Sequence, residues 1–111
     1  MLRERHCKPV RRGSSPLEPD TCQQLLAQLD QGWALAEDGR VLRREFAFPD
    51  FHHTMAFVNA VAWVAHREDH HPDLQVGYNR VRIDYSTHTA GGLTENDFIC
   101  AAHIDLLLPS E

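Results

Sequence analysis

Pro49 and Asp50 introduce a stretch of the chain that, from Met55 to Ala65, contains no charged residue. Phe51, Met55, Val58, Ala62 and Ala65 recur there at helical spacing, flanked by Phe57, Val61 and Val64. Apolar residues at that period form a stripe that must be buried, and one this wide suits the central packing element of a small domain. Asp50 has the side chain and the position of an N-cap, so the pattern predicts the longest helix of the chain. Its width also leaves a second apolar face for a partner subunit. With 111 residues there is room for one core and not two, so the other elements must pack around this helix.

Those elements follow from period and punctuation. Residues 1–18 begin basic and then pass through Gly13-Ser14-Ser15-Pro16, a turn and linker composition. They are expected to be a flexible leader, with residues 19–111 forming a single domain. From Pro19, the spacing of Cys22, Leu25, Leu26 and Leu29 predicts a first helix that Gly32 stops. Trp33 to Ala36 and Val41 to Phe48 read as strands joined across Glu37-Asp38-Gly39-Arg40, where Asp-Gly is a hairpin signal. In the second strand Leu42, Phe46 and Phe48 share a face with Arg44, whose stem can cover apolar surface, while Val41, Arg43, Glu45 and Ala47 point the other way.

After the long helix, Leu74 to Tyr78 and Val81 to Thr87 read as a second hairpin around Asn79-Arg80. Thr94 and Asp97 stand at capping-box spacing. They open a last helix that should run to about Leu108, with Cys100, Ile104 and Leu107 on one stripe and Pro109 ending it. The order helix, two strands, helix, two strands, helix predicts an α+β fold. Its simplest form is a four-stranded, mostly antiparallel sheet with three helices packed on one face.

Composition narrows the partners. Eleven basic residues against sixteen acidic ones, a net charge of -5, argue against a nucleic-acid surface. No apolar run approaches the roughly 18 residues needed to cross a bilayer, and no apolar region follows the charged start as in a signal peptide. No membrane association is expected. Cys7, Cys22 and Cys100 are odd in number and contain no CxxC pair, which suits free thiols in a reducing compartment, the cytoplasm by default.

The chemistry is concentrated between His66 and Asp97. Two adjacent histidines, His70 and His71, are pinned by Pro72, and a third, His88, follows sixteen residues beyond that proline. The hairpin between them could return His88 to the pair. Imidazole titrates near neutral pH, so such a group can supply both the acid and the base of a proton-transfer reaction. A metal site is a second reading, because His66 and His70 are four apart. The glutamate of a metalloprotease pattern is displaced, however, and Pro72 opposes a helix through His71. In the third reading His66 simply caps a helix C-terminus, where a cation is favoured. His52, His53 and His103 read as exposed helix residues without a role.

From His66 to Asp97 the chain resembles the pterin-4a-carbinolamine dehydratases. That family's signature places an acidic, basic or histidine residue ahead of His-His-Pro, with three residues between. An aromatic, a His or Trp and a later Asp then follow at fixed intervals. Here those places are filled by His66, His70-His71-Pro72, Tyr78, His88 and Asp97, and Ser86-Thr87-His88 matches the family's Ser-Thr-His. Trp33 and the helix entry Phe48-Pro49-Asp50-Phe51 are similar too, so the likeness extends over most of the chain from about residue 20.

The resemblance implies dehydration of a 4a-hydroxytetrahydropterin to the quinonoid dihydropterin, in the recycling of the pterin used by aromatic amino-acid hydroxylases. It implies His70, His71 and His88 as catalytic imidazoles, with His70 and His88 as acid and base and His71 mainly holding the pterin. Pro72, Ser86, Thr87 and Asp97 would contact substrate, and His66 would sit at the pocket margin. No metal and no organic cofactor are implied; the pterin is the substrate. A homodimer or homotetramer is expected. The competing reading is a non-catalytic binding or assembly module with a protein client, since the family also contains a dimerisation cofactor of a transcription factor and assembly chaperones. Two positions depart from the family pattern. His66 stands where Glu is frequent, and only Cys7 remains, with Val10, where bacterial relatives often carry Cys-x-x-Cys.

Overall fold

The computed structural model describes residues 1–108. Three helices and four strands occur in the expected order: α1 (Pro19–Leu26), β1 (Ala34–Ala36), β2 (Val41–Ala47), α2 (Phe51–Glu68), β3 (Asp73–Val76), β4 (Arg80–Tyr85) and α3 (Glu95–Asp105). Two single turns of 3-10 helix, Leu2–Glu4 and His88–Ala90, complete it. The strands form one sheet in the order β1-β2-β4-β3, and every neighbouring pair is antiparallel.

Alternation along the strands sends Leu42 and Phe46 of β2 and Val81, Ile83 and Tyr85 of β4 into the core. Arg44 shares their side and behaves as its long stem suggests. Its guanidinium lies 4.4 Å from the centre of the Phe46 ring and donates to Asp105 at 2.8 Å. The opposite face is ionic. Arg43 donates twice to its cross-strand neighbour Asp84, at 2.8 and 3.0 Å, and Arg82 adds a third bond at 3.2 Å.

Helix α2 begins where Asp50 predicts, with the carboxylate accepting from the backbone N–H of His53 at 2.8 Å. Its buried side is Thr54, Phe57, Val61, Val64, Ala65 and Glu68. The stripe expected to lead into the core lies one step round: Phe51 and Ala62 are exposed and Met55 and Val58 half-buried. A stripe this wide fixes a helix's period without fixing which edge faces the sheet. Phe57 decides it by packing on Phe46 and Phe48, with ring centres 4.7 and 5.0 Å away.

The end helices are shorter than their stripes. Helix α1 stops at Leu26, six residues before Gly32, and α3 stops at Asp105, with Leu106 exposed. Pro109, the expected helix stop, lies outside the described residues.

The largest difference is the leader. Expected to be flexible, it lies along α3 and contributes to the core, with Leu2 only 2% exposed. Three buried polar side chains hold its main chain. Glu68 accepts from the Cys7 N–H at 2.7 Å, and His103 Nε2 donates to the Arg5 carbonyl at 2.8 Å. Asn96 accepts from the Lys8 N–H at 3.1 Å and donates back to the Lys8 carbonyl at 2.7 Å. His103 is therefore not an exposed, idle histidine. The leader also explains why α3 is buried from Asn96 to Ile104. A helix apolar or satisfied all round must be covered all round.

Candidate active site

The adjacent histidines part company because of how α2 ends. Asp69 takes a left-handed conformation (φ 53, ψ 43) immediately after the last helical residue. Its N–H bonds to the His66 carbonyl at 3.2 Å, and the His70 N–H bonds to the Ala65 carbonyl at 3.0 Å. This pair of bonds is a Schellman stop with Asp in the place glycine usually takes. The reversal turns His70 inward, while His71 and His66 remain exposed.

His70 meets Asp97 there. Its Nε2 lies 2.6 Å from Asp97 Oδ1, and its ring stacks on Tyr85 with centres 5.3 Å apart and an interplanar angle of 18°. Tyr85 also donates its hydroxyl to the His70 carbonyl at 3.1 Å, and burial pushes the phenol's pKa up, so it stays a donor. Asp97 is fully buried. Its second oxygen accepts from the Thr87 hydroxyl at 2.8 Å and from the Thr94 N–H at 2.9 Å, closing the capping box of α3. One carboxylate thus both caps a helix and orients an imidazole, two roles that its spacing suggested separately.

Burial alone would push the His70 imidazole down. The hydrogen bond to Asp97 and that residue's charge more than offset it, and the net shift is upward from 6.5. The arrangement favours an imidazolium whose Nε2 is committed to Asp97. Among the described residues Nδ1 has no protein partner, so this is the nitrogen available to a bound molecule. A hollow of about 400 Å³ is lined by His70 together with Cys7, Lys8, Pro9, Val10, Arg67, Glu68, Asp69, Thr87, Thr89 and Asn96. That is within the size range of small-molecule sites.

The other predicted residues are placed differently. His71 and Pro72 line a separate hollow of about 270 Å³ with His66 and Leu74. His88 is exposed at the start of its 3-10 turn, next to Thr89. Ser86 donates to the Arg40 carbonyl at 2.8 Å, and Tyr78 is exposed and stacks on Phe51 with centres 6.5 Å apart. So His70, Thr87 and Asp97 come together, while His71 and Pro72 face another hollow. Sequence reasoning missed Tyr85 as the ring beneath His70, although its inward parity on β4 was a signal. It also missed the leader wall, Cys7 to Val10, for which nothing in the composition was a signal.

A larger hollow of about 630 Å³ shares Lys8, Pro9, Val10 and Asn96 with this one, and holds none of the predicted residues. His6, Glu68 and His103 place one possible metal-ligating atom each within 4.8 Å of one another. Their hydrogen bonds already give the cluster a structural task. His6 donates to Glu68 at 2.8 Å, and Arg67 donates to His103 Nδ1 at 3.1 Å while Nε2 holds Arg5. An ion would have to displace these partners and lie against the Arg67 charge. The spacing of His66 and His70 makes no metal geometry either, since α2 ends between them.

The chain matches the family model described as pterin 4 alpha carbinolamine dehydratase over residues 15–107. It is 58% identical over 109 residues to a Nitrosomonas eutropha protein provisionally named a pterin-4-alpha-carbinolamine dehydratase, covering 98% of this chain and 95% of that one. A Legionella pneumophila protein with the same provisional name is 50% identical over 107 residues, covering 96% and 95%. Among solved structures, a Brucella melitensis transcriptional coactivator/pterin dehydratase superposes with a TM-score of 0.78 at 31% identity, over 84% of this chain and 98% of that one. A pterin dehydratase-like RuBisCO assembly factor of the alpha-carboxysome gives 0.62 at 27% identity, over 73% and 94%. On sequence and fold together, this chain belongs to the pterin 4 alpha carbinolamine dehydratase family.

Proposed function

We propose that this chain catalyses the dehydration of a 4a-hydroxytetrahydropterin to the quinonoid dihydropterin, the step that returns pterin to aromatic amino-acid hydroxylation. The observation that carries the reading is the His70–Asp97 pair beside a hollow of suitable size. Departure of the 4a-hydroxyl needs a proton. His70, kept cationic by Asp97, gives one from Nδ1, and the hydroxyl leaves as water. The atom that forms the new double bond gives up a proton to a base. His88 takes that role, and its exposure lets it return the proton to solvent. The pterin reaches past Asp69, which lines both hollows, to His71 and His66 at its margin, and Thr87 keeps Asp97 in place. No metal or organic cofactor enters the scheme.

The test is a stopped assay of 4a-hydroxypterin breakdown with and without the protein, at and above about pH 8, where the spontaneous reaction is slower. His70→Ala and His88→Ala should each lower the catalysed rate at least about tenfold with the fold retained, in keeping with the roughly 10²–10⁴ that positioned acids and bases contribute. Near wild-type rates in both variants would remove the acid–base assignment.

Self-association as a homodimer or homotetramer, in the cytoplasm, belongs to the same proposal. Phe51 and Trp63 on α2 are 51% and 62% exposed, an apolar face of the kind that self-association covers. Among the described residues no helix is long and apolar enough to cross a membrane. The same face supports the second reading, a binding or assembly module with a protein client. That reading would prevail if the wild-type protein left 4a-hydroxypterin breakdown unaccelerated while Trp63→Asp changed assembly.

A further inference from the structure

We propose that Cys7 and Cys100 are a redox pair whose reversible disulfide staples the leader to α3 beside the hollow that His70 lines. Their sulfurs lie 3.6 Å apart although the residues are 93 positions apart in the chain. Both thiols are free, and neither is needed elsewhere. Cys7 Sγ has only a weak second contact, the Asn96 carbonyl at 3.5 Å, and Cys100 Sγ has the His70 carbonyl at 3.8 Å. A disulfide of about 2.05 Å requires the sulfurs to close by roughly 1.5 Å. Cys100 is fixed within α3, but Cys7 belongs to no helix or strand, so the leader can supply the movement.

The two sulfurs differ in reach and in which of them holds the proton. Cys7 is half-buried and lines the hollow, so a small molecule can reach it, whereas Cys100 is fully buried. The contact with Cys100, and burial, push the Cys7 thiol up, so Cys7 keeps the proton of the pair, while Cys7 and the Tyr85 hydroxyl favour the thiolate at Cys100. The oxidant is a low-molecular-weight disulfide, RSSR. Cys7, the sulfur such a molecule can reach, must first give up the proton it holds tightly, which makes this step the slow one. Its thiolate attacks one sulfur of RSSR and expels RS⁻, which that proton converts to RSH. Cys100 then attacks Cys7 Sγ in the mixed disulfide and expels the second RSH. Two protein thiols lose two electrons and two protons, and one RSSR becomes two RSH. Because Cys7 and its neighbours Lys8 to Val10 form one wall of the hollow, the oxidised state fixes that wall. The inference concerns the thiols and holds whatever molecule the hollow takes.

Full-length protein incubated with oxidised glutathione, then denatured and alkylated, should fall from its three free thiols to one, and dithiothreitol should restore all three. Tryptic mapping without reductant should join the peptide His6 to Arg11 to the peptide that begins after Arg82. The oxidised protein should melt higher than the reduced one, because the link constrains the unfolded chain. Cys22→Ser should leave the cross-link intact, and Cys7→Ser should abolish it. Three thiols persisting, a link through Cys22 or between two chains, or an oxidised form that melts no higher would overturn the proposal.

Discussion

Asp97 is fully buried, and burying a carboxylate is costly unless each oxygen is satisfied. Here His70, Thr87 and the Thr94 N–H satisfy it together. Asp97→Asn keeps the shape and removes the charge. Unfolding in urea should show a loss of about 2 kcal/mol, the scale of a hydrogen bond to a charged group. In the same variant the His70 imidazole should titrate lower by NMR, because only the weaker Cys100 and Asp69 contributions would then oppose burial. The pH dependence has a definite sign. His70 gains its raised pKa only in the folded state, so the pair's contribution is complete below the ordinary value of 6.5 and is lost as pH rises through the higher folded value. Denaturant midpoints measured upward from pH 6 should fall across that window in the wild type, and Asp97→Asn should flatten the decline.

At the scale of elements, the site depends on how two helices end and begin. Thr94 with Asp97 was readable because a capping box has its own residue types at a fixed interval. Asp50 was readable for the same reason. The stop of α2 was not, because Asp69 occupies a left-handed position that a reader assigns to glycine, and so the divergence of His70 from His71 had no local signal. Left-handed backbone costs a non-glycine residue roughly 1 kcal/mol. Asp69→Gly should therefore raise stability by about 0.5–1 kcal/mol in thermal unfolding. It should also slightly lower the His70 titration, since the Asp69 charge helps to hold that imidazole cationic. The α2 stripe shows a further limit: its period was visible, but the ring contacts of Phe57 that set its rotation are long-range.

For the molecule as a whole, strand and helix order, the two hairpins and the core faces of the strands were legible, because each rests on local period and turn chemistry. The leader was not. Its residues look like linker because the partners that hold it are Glu68, Asn96 and His103, far along the chain, and because they grip main-chain atoms. Deleting residues 1–12 should cost about 3 kcal/mol or more in urea unfolding, since burying Leu2 alone is worth roughly 1.5–3 kcal/mol. The deletion would also strip Glu68 of its Cys7 and His6 partners, so the loss should grow above the pH at which that carboxylate ionises. The folded structure holds Glu68 below its ordinary value of 4.5. Burial would raise it, but the Cys7 N–H and His6 prevail.

The Asn96 amide treats Lys8 as a neighbouring strand would, giving one bond to its carbonyl and taking one from its N–H. Such a grip is blind to spelling. The exposed side chain at position 8 is left free to vary, and proline alone is barred, for want of an N–H to offer.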